Sequence, residues 1–171
     1  MKTEKRILRR FFRSLIITMV MLSAMTTAVF AYDTKTAYFN KGYKKSGSYS
    51  QDIVAIAKAQ TGKTKAQLHY AEAWCVDFVL DCAKLAGVPD SIIPNGKKTY
   101  GNAGTLYNLL MKAGGRRTTS PVKGDLVFYY CSSSGKYVHA GIYEGGGYAI
   151  EGNVSGKVLR YKPKNYIDSH G

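Results

Sequence analysis

Acidic side chains are scarce in this chain. It carries 25 lysines and arginines but only 11 aspartates and glutamates, which gives a net charge of +14 over 171 residues. That excess of positive charge favours an anionic partner. It does not favour nucleic acid, because the basic residues are scattered along the chain and no familiar nucleic-acid-binding motif is present.

A long apolar run is also missing. Leu15 to Val29 is apolar or small throughout, but this stretch falls short of the roughly 20 residues that span a bilayer. Basic residues precede it, and Val29-Phe30-Ala31 fits a small-residue cleavage site. Residues 1–31 are therefore predicted to be a signal peptide, so that no stable membrane span is left after processing. The mature protein is expected outside the cell, where the acidic polymers of bacterial walls are an anionic surface.

Cysteine is scarce as well, with three in the chain. An odd number in an exported protein leaves one thiol free, reactive or intermolecular, and Cys75 is the candidate for the free one. Cys82 and Cys131 either pair with each other or are small buried hydrophobic residues. The spacing from Cys75 to Cys82 lacks the short separation of zinc ligands. We therefore expect no metal and no other cofactor.

Order in the mature chain is predicted to begin near Ser50. Residues 32–49 are rich in Lys, Tyr, Gly, Ser and Thr without apolar periodicity, which indicates a flexible N-terminal arm. Residues 50–171 then form one domain, in a chain long enough to bury its own core. Ser50 is expected to cap a helix that ends at Gly62.

The stretch from Ala71 to Cys82, AEAWCVDFVLDC, organises the rest of the chain. Apolar residues at helical spacing follow Cys75, and Gly87 suits the end of that helix. The unpaired N–H groups and the dipole at a helix start favour negative charge, and therefore the nucleophilic thiolate of a cysteine placed there. A loop from Val88 to Gly101 and a further helix from Ala103 to Ala113 are predicted to follow.

The last part of the chain has the pattern of strands. The predicted strands are Leu126–Cys131, Tyr137–Glu144, Tyr148–Asn153 and Lys157–Tyr161, with Gly145 to Gly147 as a hairpin loop. Helices first and strands afterwards predict an α+β fold, in which N-terminal helices pack on a C-terminal antiparallel β-sheet.

One histidine within those strands is a candidate base for the thiol. His139 lies inside the sequence YVHAGIY, where a polar residue needs a reason. By contrast, His69 falls in a polar loop and His170 is the penultimate residue. A nucleophilic cysteine requires a base, and the base requires an orienting partner.

The register of the glycine hairpin decides which side chains lie beside His139. A three-residue loop pairs Glu144 with Tyr148. The same register places His139 opposite Asn153, with Glu151 on the diagonal. A two-residue loop would shift one strand by one position and separate His139 from both partners.

In the three-residue register these residues support covalent acyl transfer. Gly141, opposite Glu151, offers no side chain that would keep Glu151 from His139. The Cys75 thiolate would attack an acyl carbon to give a thioester, while His139 protonates the leaving amine and then activates water. Glu151 or Asn153 would fix the imidazole tautomer.

Two further roles are predicted beside the nucleophile. The N–H of Cys75 would bind the developing oxyanion. Trp74, which directly precedes it, is predicted at the edge of the cleft as a substrate-binding residue. Each site residue alone is more often structural, but together they favour catalysis.

Several motifs, taken in order, match a known family. WCVDFVLDCAKLAGV, then GDLVFYY, then HAGIY and EGN resemble the CHAP domain of bacterial cell-wall amidases and endopeptidases. That family belongs with the NlpC/P60-like, papain-related cysteine peptidases. The resemblance covers roughly Ser50 to Tyr161, and it implies a papain-like fold with Cys75 as nucleophile and His139 as base. Glu151 and Asn153 would complete the site; the NlpC/P60 pattern usually shows a second histidine near Glu151, so the glutamate favours CHAP.

The resemblance also implies a substrate and a reaction. The substrate is peptidoglycan, hydrolysed at an amide of the stem peptide, the cross-bridge or the muramoyl-alanine link. The protein is expected to be a secreted monomer associated with the cell wall. Two other hypotheses are a wall-binding module that uses the same groove without turnover, and a cysteine acyltransferase that passes the acyl group to an amine.

Overall fold

The computed structural model of the chain describes residues 35–71, 73–93 and 102–163. The predicted signal peptide, His170 and residues 94–101 of the predicted loop lie outside these ranges. The chain divides into two units, Met1–Ala37 and Tyr38–Gly171. Residues 35–37 are the described part of the first unit, and the second unit contains the α-helices and the sheet.

Within the described ranges, three α-helices precede four β-strands. The helices are α1 (Tyr49–Ala59), α2 (Cys75–Ala86) and α3 (Ala103–Lys112), and a short 3-10 turn spans Thr36–Tyr38. The strands are β1 (Leu126–Cys131), β2 (Lys136–Gly145), β3 (Tyr148–Val154) and β4 (Lys157–Tyr161). Neighbouring strands pair antiparallel in chain order, and all three helices contact the sheet. The predicted α+β fold is confirmed.

Helix α2 forms where the apolar spacing predicts it. Cys75 is its first residue, and Gly87 ends it with a left-handed φ of 79°. The helix packs against both central strands, β2 and β3. Its first turn is thereby held against the sheet by the core. No helix in the described part of the chain is long and apolar enough to cross a membrane.

Helix α1 begins slightly earlier than predicted. Ser50 lies inside it, and the N-cap position is Ser48, whose side chain makes no capping hydrogen bond. Asp52 in the first turn is buried and accepts hydrogen bonds from the backbone N–H groups of Ser46 at 2.6 Å and Gly47 at 3.2 Å. This carboxylate ties the preceding loop to the helix start.

Residues 39–48, which fall within the predicted N-terminal arm, contact the helices of the domain. Phe39 is 3% exposed, and its ring centroid lies 6.0 Å from that of Phe78 on α2. Asn40 donates its backbone N–H to Oε1 of the buried Gln60 at 2.6 Å, and Gln60 Nε2 donates to the Asn40 carbonyl at 3.0 Å. The Phe39 ring and the Asn40–Gln60 hydrogen bonds hold this segment against the helices. The sequence does not predict these contacts, because single residues of this kind produce no apolar periodicity.

The β2–β3 hairpin reaches the predicted register by a different route. Its turn has two residues, Gly146 and Gly147, and Gly145 pairs with Tyr148 in place of Glu144. Such a turn alone would shift one strand by one position. A β-bulge at Glu144 adds one residue and cancels that shift. The pairs beyond the bulge are those of the predicted register: Ile142 with Ile150 and Tyr143 with Ala149.

The close approach of β3 to α2 depends on Gly152. A Cβ at this position would lie 2.6 Å from Cβ of Phe78 and 2.7 Å from Cζ3 of Trp74. These separations are far inside carbon–carbon van der Waals contact. The glycine of the EGN motif is therefore required by helix–strand packing, next to the candidate site residue Glu151.

We expect Gly152→Ala to lower the free energy of unfolding by about 1–3 kcal/mol, because the added methyl group overpacks the helix–strand interface. Gly104→Ala is the matched control. Its Cβ would meet neighbouring atoms at 3.4 Å or more, in the first turn of α3, and alanine favours a helix. Urea unfolding followed by circular dichroism measures both variants, and equal midpoints would contradict the packing argument.

Candidate active site

Cys75 and His139 meet where the first turn of α2 approaches β2. Cys75 has a free thiol and is 7% exposed, while His139 is 5% exposed. A side-chain hydrogen bond joins the thiol and the imidazole. A nucleophile in direct contact with a base is the geometry that covalent catalysis requires.

Glu151 completes the chain of contacts behind the histidine. Its Oε2 lies 2.8 Å from Nε2 of His139, and the residue is 0% exposed. Gly141 makes this contact sterically feasible, because a Cβ there would overlap Cγ of Glu151 and lie 2.9 Å from its Cδ. The structure thus brings together Cys75, His139 and Glu151 in the order that the sequence predicts.

Two tyrosines that the sequence analysis does not identify hold the Glu151 carboxylate. The Tyr129 hydroxyl donates to Oε1, and the Tyr161 hydroxyl donates to Oε2. Together with His139 and Glu151, they place one side chain of this polar group on each of the four strands. Burial and the charge of Glu151 both raise the pKa of Tyr129, so its hydroxyl stays a neutral donor.

A β-bulge is the reason why strand alternation alone does not predict that Tyr129 lies opposite His139. At the start of β2, Lys136 pairs with Cys131, and that register, extended along the strands, would place Val138 opposite Tyr129. An irregularity after Tyr137 leaves Val138 without a partner and pairs Tyr129 with His139 instead. The position of Tyr129 opposite His139 could be predicted only from a β1–β2 register that includes one extra residue in β2.

The contacts of His139 control its charge. Burial alone lowers its pKa, but hydrogen bonds to Cys75 and Glu151 and the charges of both groups outweigh that effect. The result is a pKa of about 9, above the ordinary value of 6.5. The ring is therefore an imidazolium at neutral pH, a cation in direct contact with the Cys75 side chain.

The other two predicted site residues, Trp74 and Asn153, make no side-chain hydrogen bond to this cluster within the described ranges. Trp74 is 0% exposed and stacks on Tyr70 with centroids 4.9 Å apart, so it belongs to the core and not to the edge of a cleft. Because Gly152 has no side chain, β3 can pack directly against the Trp74 ring. Asn153 has a left-handed φ of 65° beside an irregularity in the β3–β4 ladder. Within the described ranges, no side-chain hydrogen bond links Asn153 to His139.

The other two cysteines are free and differ from each other. Cys82 is buried in α2, and burial raises the pKa of its thiol. Cys131 is partly exposed at the end of β1, where hydrogen bonds from Ser133 and Ser134 lower its pKa to about 7. Of the two alternatives that the sequence leaves open, a disulfide between Cys82 and Cys131 is therefore not the one in the structure. Among the described residues, no cluster of His, Cys, Asp and Glu could hold a metal ion.

No protein-family model, no curated protein and no solved structure matches this chain.

We expect Glu151→Gln to lower the pKa of His139 from about 9 toward or below 6.5, since burial then acts on the imidazolium without its counter-ion. The titration of the His139 ring proton by NMR measures this shift. Glu144→Gln is the control, because Glu144 bonds to Lys58 and Arg160 and not to His139. An unchanged His139 titration in Glu151→Gln would contradict the assigned contact.

The same change gives a pH-dependent stability. A histidine with a raised pKa in the folded state stabilises the fold fully below its ordinary value of 6.5, and this contribution is lost as pH rises through about 9. The stability difference between the wild type and Glu151→Gln should therefore be widest at about pH 6 and narrow toward pH 9. Urea unfolding at a series of pH values measures it.

We expect Gly141→Ala to displace the Glu151 side chain and so lower the pKa of His139, as Glu151→Gln does. It should also reduce stability by about 1–3 kcal/mol through overpacking. The NMR titration and urea unfolding measure the two effects, again with Gly104→Ala as the control. A stable Gly141→Ala protein whose His139 still titrates near 9 would contradict the steric argument.

Proposed function

We propose that the protein is a secreted cysteine hydrolase of peptidoglycan with a papain-like fold of the CHAP type. The observation that carries this proposal is the direct chain of contacts from the Cys75 thiol through the His139 imidazole to the buried Glu151 carboxylate. Nucleophile, base and orienting carboxylate are the parts that acyl transfer through a covalent intermediate needs.

In the acylation step, the Cys75 thiolate attacks the carbonyl carbon of an amide. The oxygen of that carbonyl becomes an oxyanion, which the backbone N–H of Cys75 at the start of α2 is placed to stabilise. The His139 imidazolium gives its proton to the amide nitrogen as the carbon–nitrogen bond breaks. The amine leaves, and the acyl group stays on Cys75 as a thioester.

In the deacylation step, the neutral His139 removes a proton from water, which attacks the thioester carbon. The carbon–sulfur bond breaks, the carboxylic acid leaves, and the Cys75 thiolate and His139 imidazolium are restored. Glu151 stabilises the imidazolium in the resting site and holds the ring in one orientation while the proton moves.

Peptidoglycan is the substrate class that the rest of the chain supports. The motifs from WCVDFVLDC to EGN resemble those of a family that acts on wall peptides. The signal-like N-terminus would deliver the protein to the wall. With residues 1–31 removed, a net charge of about +9 remains, which would favour anionic wall polymers.

The test compares the mature protein with Cys75→Ala on purified peptidoglycans of several cross-link types, with products read by mass spectrometry. The wild type should release fragments with new amine and carboxyl ends, and Cys75→Ala should be slower by a factor on the order of 10³ or more. Cys131→Ala, which removes a thiol outside the site, should retain full activity.

Two results would overturn the proposal. If wild type and Cys75→Ala both sediment with the wall and neither releases fragments, the protein is a wall-binding module. If an added amine captures the acyl group in place of water, with loss of the free acid, the protein is an acyltransferase.

A further inference from the structure

We propose that Tyr129 and Tyr161 are positioning residues of this site, which together hold the buried Glu151 carboxylate in place and directed at His139. The proposal rests on the proposed function for its effect on catalysis. Its physical part concerns the four side chains of the sheet and is independent of any substrate.

The two oxygens of the carboxylate contact different partners. Tyr129 occupies Oε1, while Oε2 is shared by Tyr161 and His139. A fully buried carboxylate is costly unless hydrogen bonds replace its lost hydration. The hydroxyls of Tyr129 and Tyr161 replace that hydration. Glu151, which depends on them, is the counter-ion of His139, the candidate base.

The positions of the two tyrosines also restrict rotation of the carboxylate. Tyr129 lies on β1 and Tyr161 on β4, on opposite sides of the β2–β3 hairpin that carries His139 and Glu151. Terminal carboxylate torsions are broad when nothing restrains them. A donor fixed on each side sets the plane of the carboxylate, so that one oxygen stays at the imidazole.

These four side chains and one thiol are the titratable groups that determine the charge of the cluster. Tyr129, His139 and Tyr161 face Glu151 from the other three strands, and Cys75 faces His139 from α2. Removing a tyrosine hydroxyl removes one of the donors that fix the carboxylate, so its oxygen at His139 is held less firmly. His139 then loses part of the interaction with its counter-ion, and its pKa falls toward the ordinary value.

The test uses Tyr129→Phe and Tyr161→Phe, which keep the rings and remove only the hydroxyls. We expect each to lower the pKa of His139, measured by NMR, by about 0.5 to 1 unit from about 9. Tyr143→Phe is the matched control, because its hydroxyl accepts from the N–H of Gly147 in the hairpin turn. Its His139 titration should match the wild type.

A second measurement follows the thiol. In a Cys131→Ser background, which removes the other accessible thiol, the rate of Cys75 alkylation by iodoacetamide at pH 7 should fall about 3- to 10-fold in each tyrosine variant and stay unchanged in Tyr143→Phe. Tyr129→Phe and Tyr161→Phe are each measured as single variants of this background, and far-UV circular dichroism establishes that they are folded.

The outcomes separate this proposal from the proposed function, since neither measurement uses peptidoglycan. Unchanged titration and alkylation in folded Tyr129→Phe and Tyr161→Phe would overturn the positioning role, even if the wild type cleaves peptidoglycan. The expected shifts without any cleavage by the wild type would support the physical role of the tyrosines and overturn the hydrolase instead.

Discussion

The carboxylate of Glu151 is the group on which the geometry of the site depends. It is fully buried, so every partner that satisfies it must be supplied by the fold. Those partners come from β1, β2 and β4, while Glu151 itself is on β3. The sheet must therefore pair all four strands in one register before the imidazole has a stable counter-ion beside the Cys75 thiol.

Irregularities in the ladder, and not perfect alternation, produce that register. The bulge at Glu144 compensates for a turn of two residues and keeps Gly141 and Glu151 at matching positions. The extra residue at Val138 brings Tyr129 opposite His139. Each bulge moves a polar side chain by one position, which in a strand is the difference between the two faces of the sheet.

Much of this fold follows from the sequence. The bounds of β1 and β4 and the helix that starts at Cys75 come from periodicity and turn residues. The predicted contact of His139 with Glu151 is also present, although the turn has two residues and a β-bulge restores the register. The roles of the tyrosines do not, because they depend on bulges that no local pattern marks. The burial of Trp74 does not follow from the sequence either, because a tryptophan before a helix is compatible with a cleft edge and with a core. Its burial depends on Gly152, which lies on β3 and leaves space for the ring.

The two glycines near the candidate site residues of β2 and β3 have a consequence for how such a site can change over evolution. Gly141 and Glu151 occupy one shared volume, and Gly152 shares another with Phe78. A mutation that enlarges Gly141 is destabilising unless the side chain at position 151 shortens at the same time, whereas the clash at Gly152 includes Cβ of Phe78, which every residue except glycine carries. Residues 141 and 151 therefore form an epistatic pair, in which the effect of one substitution depends on the residue at the other position.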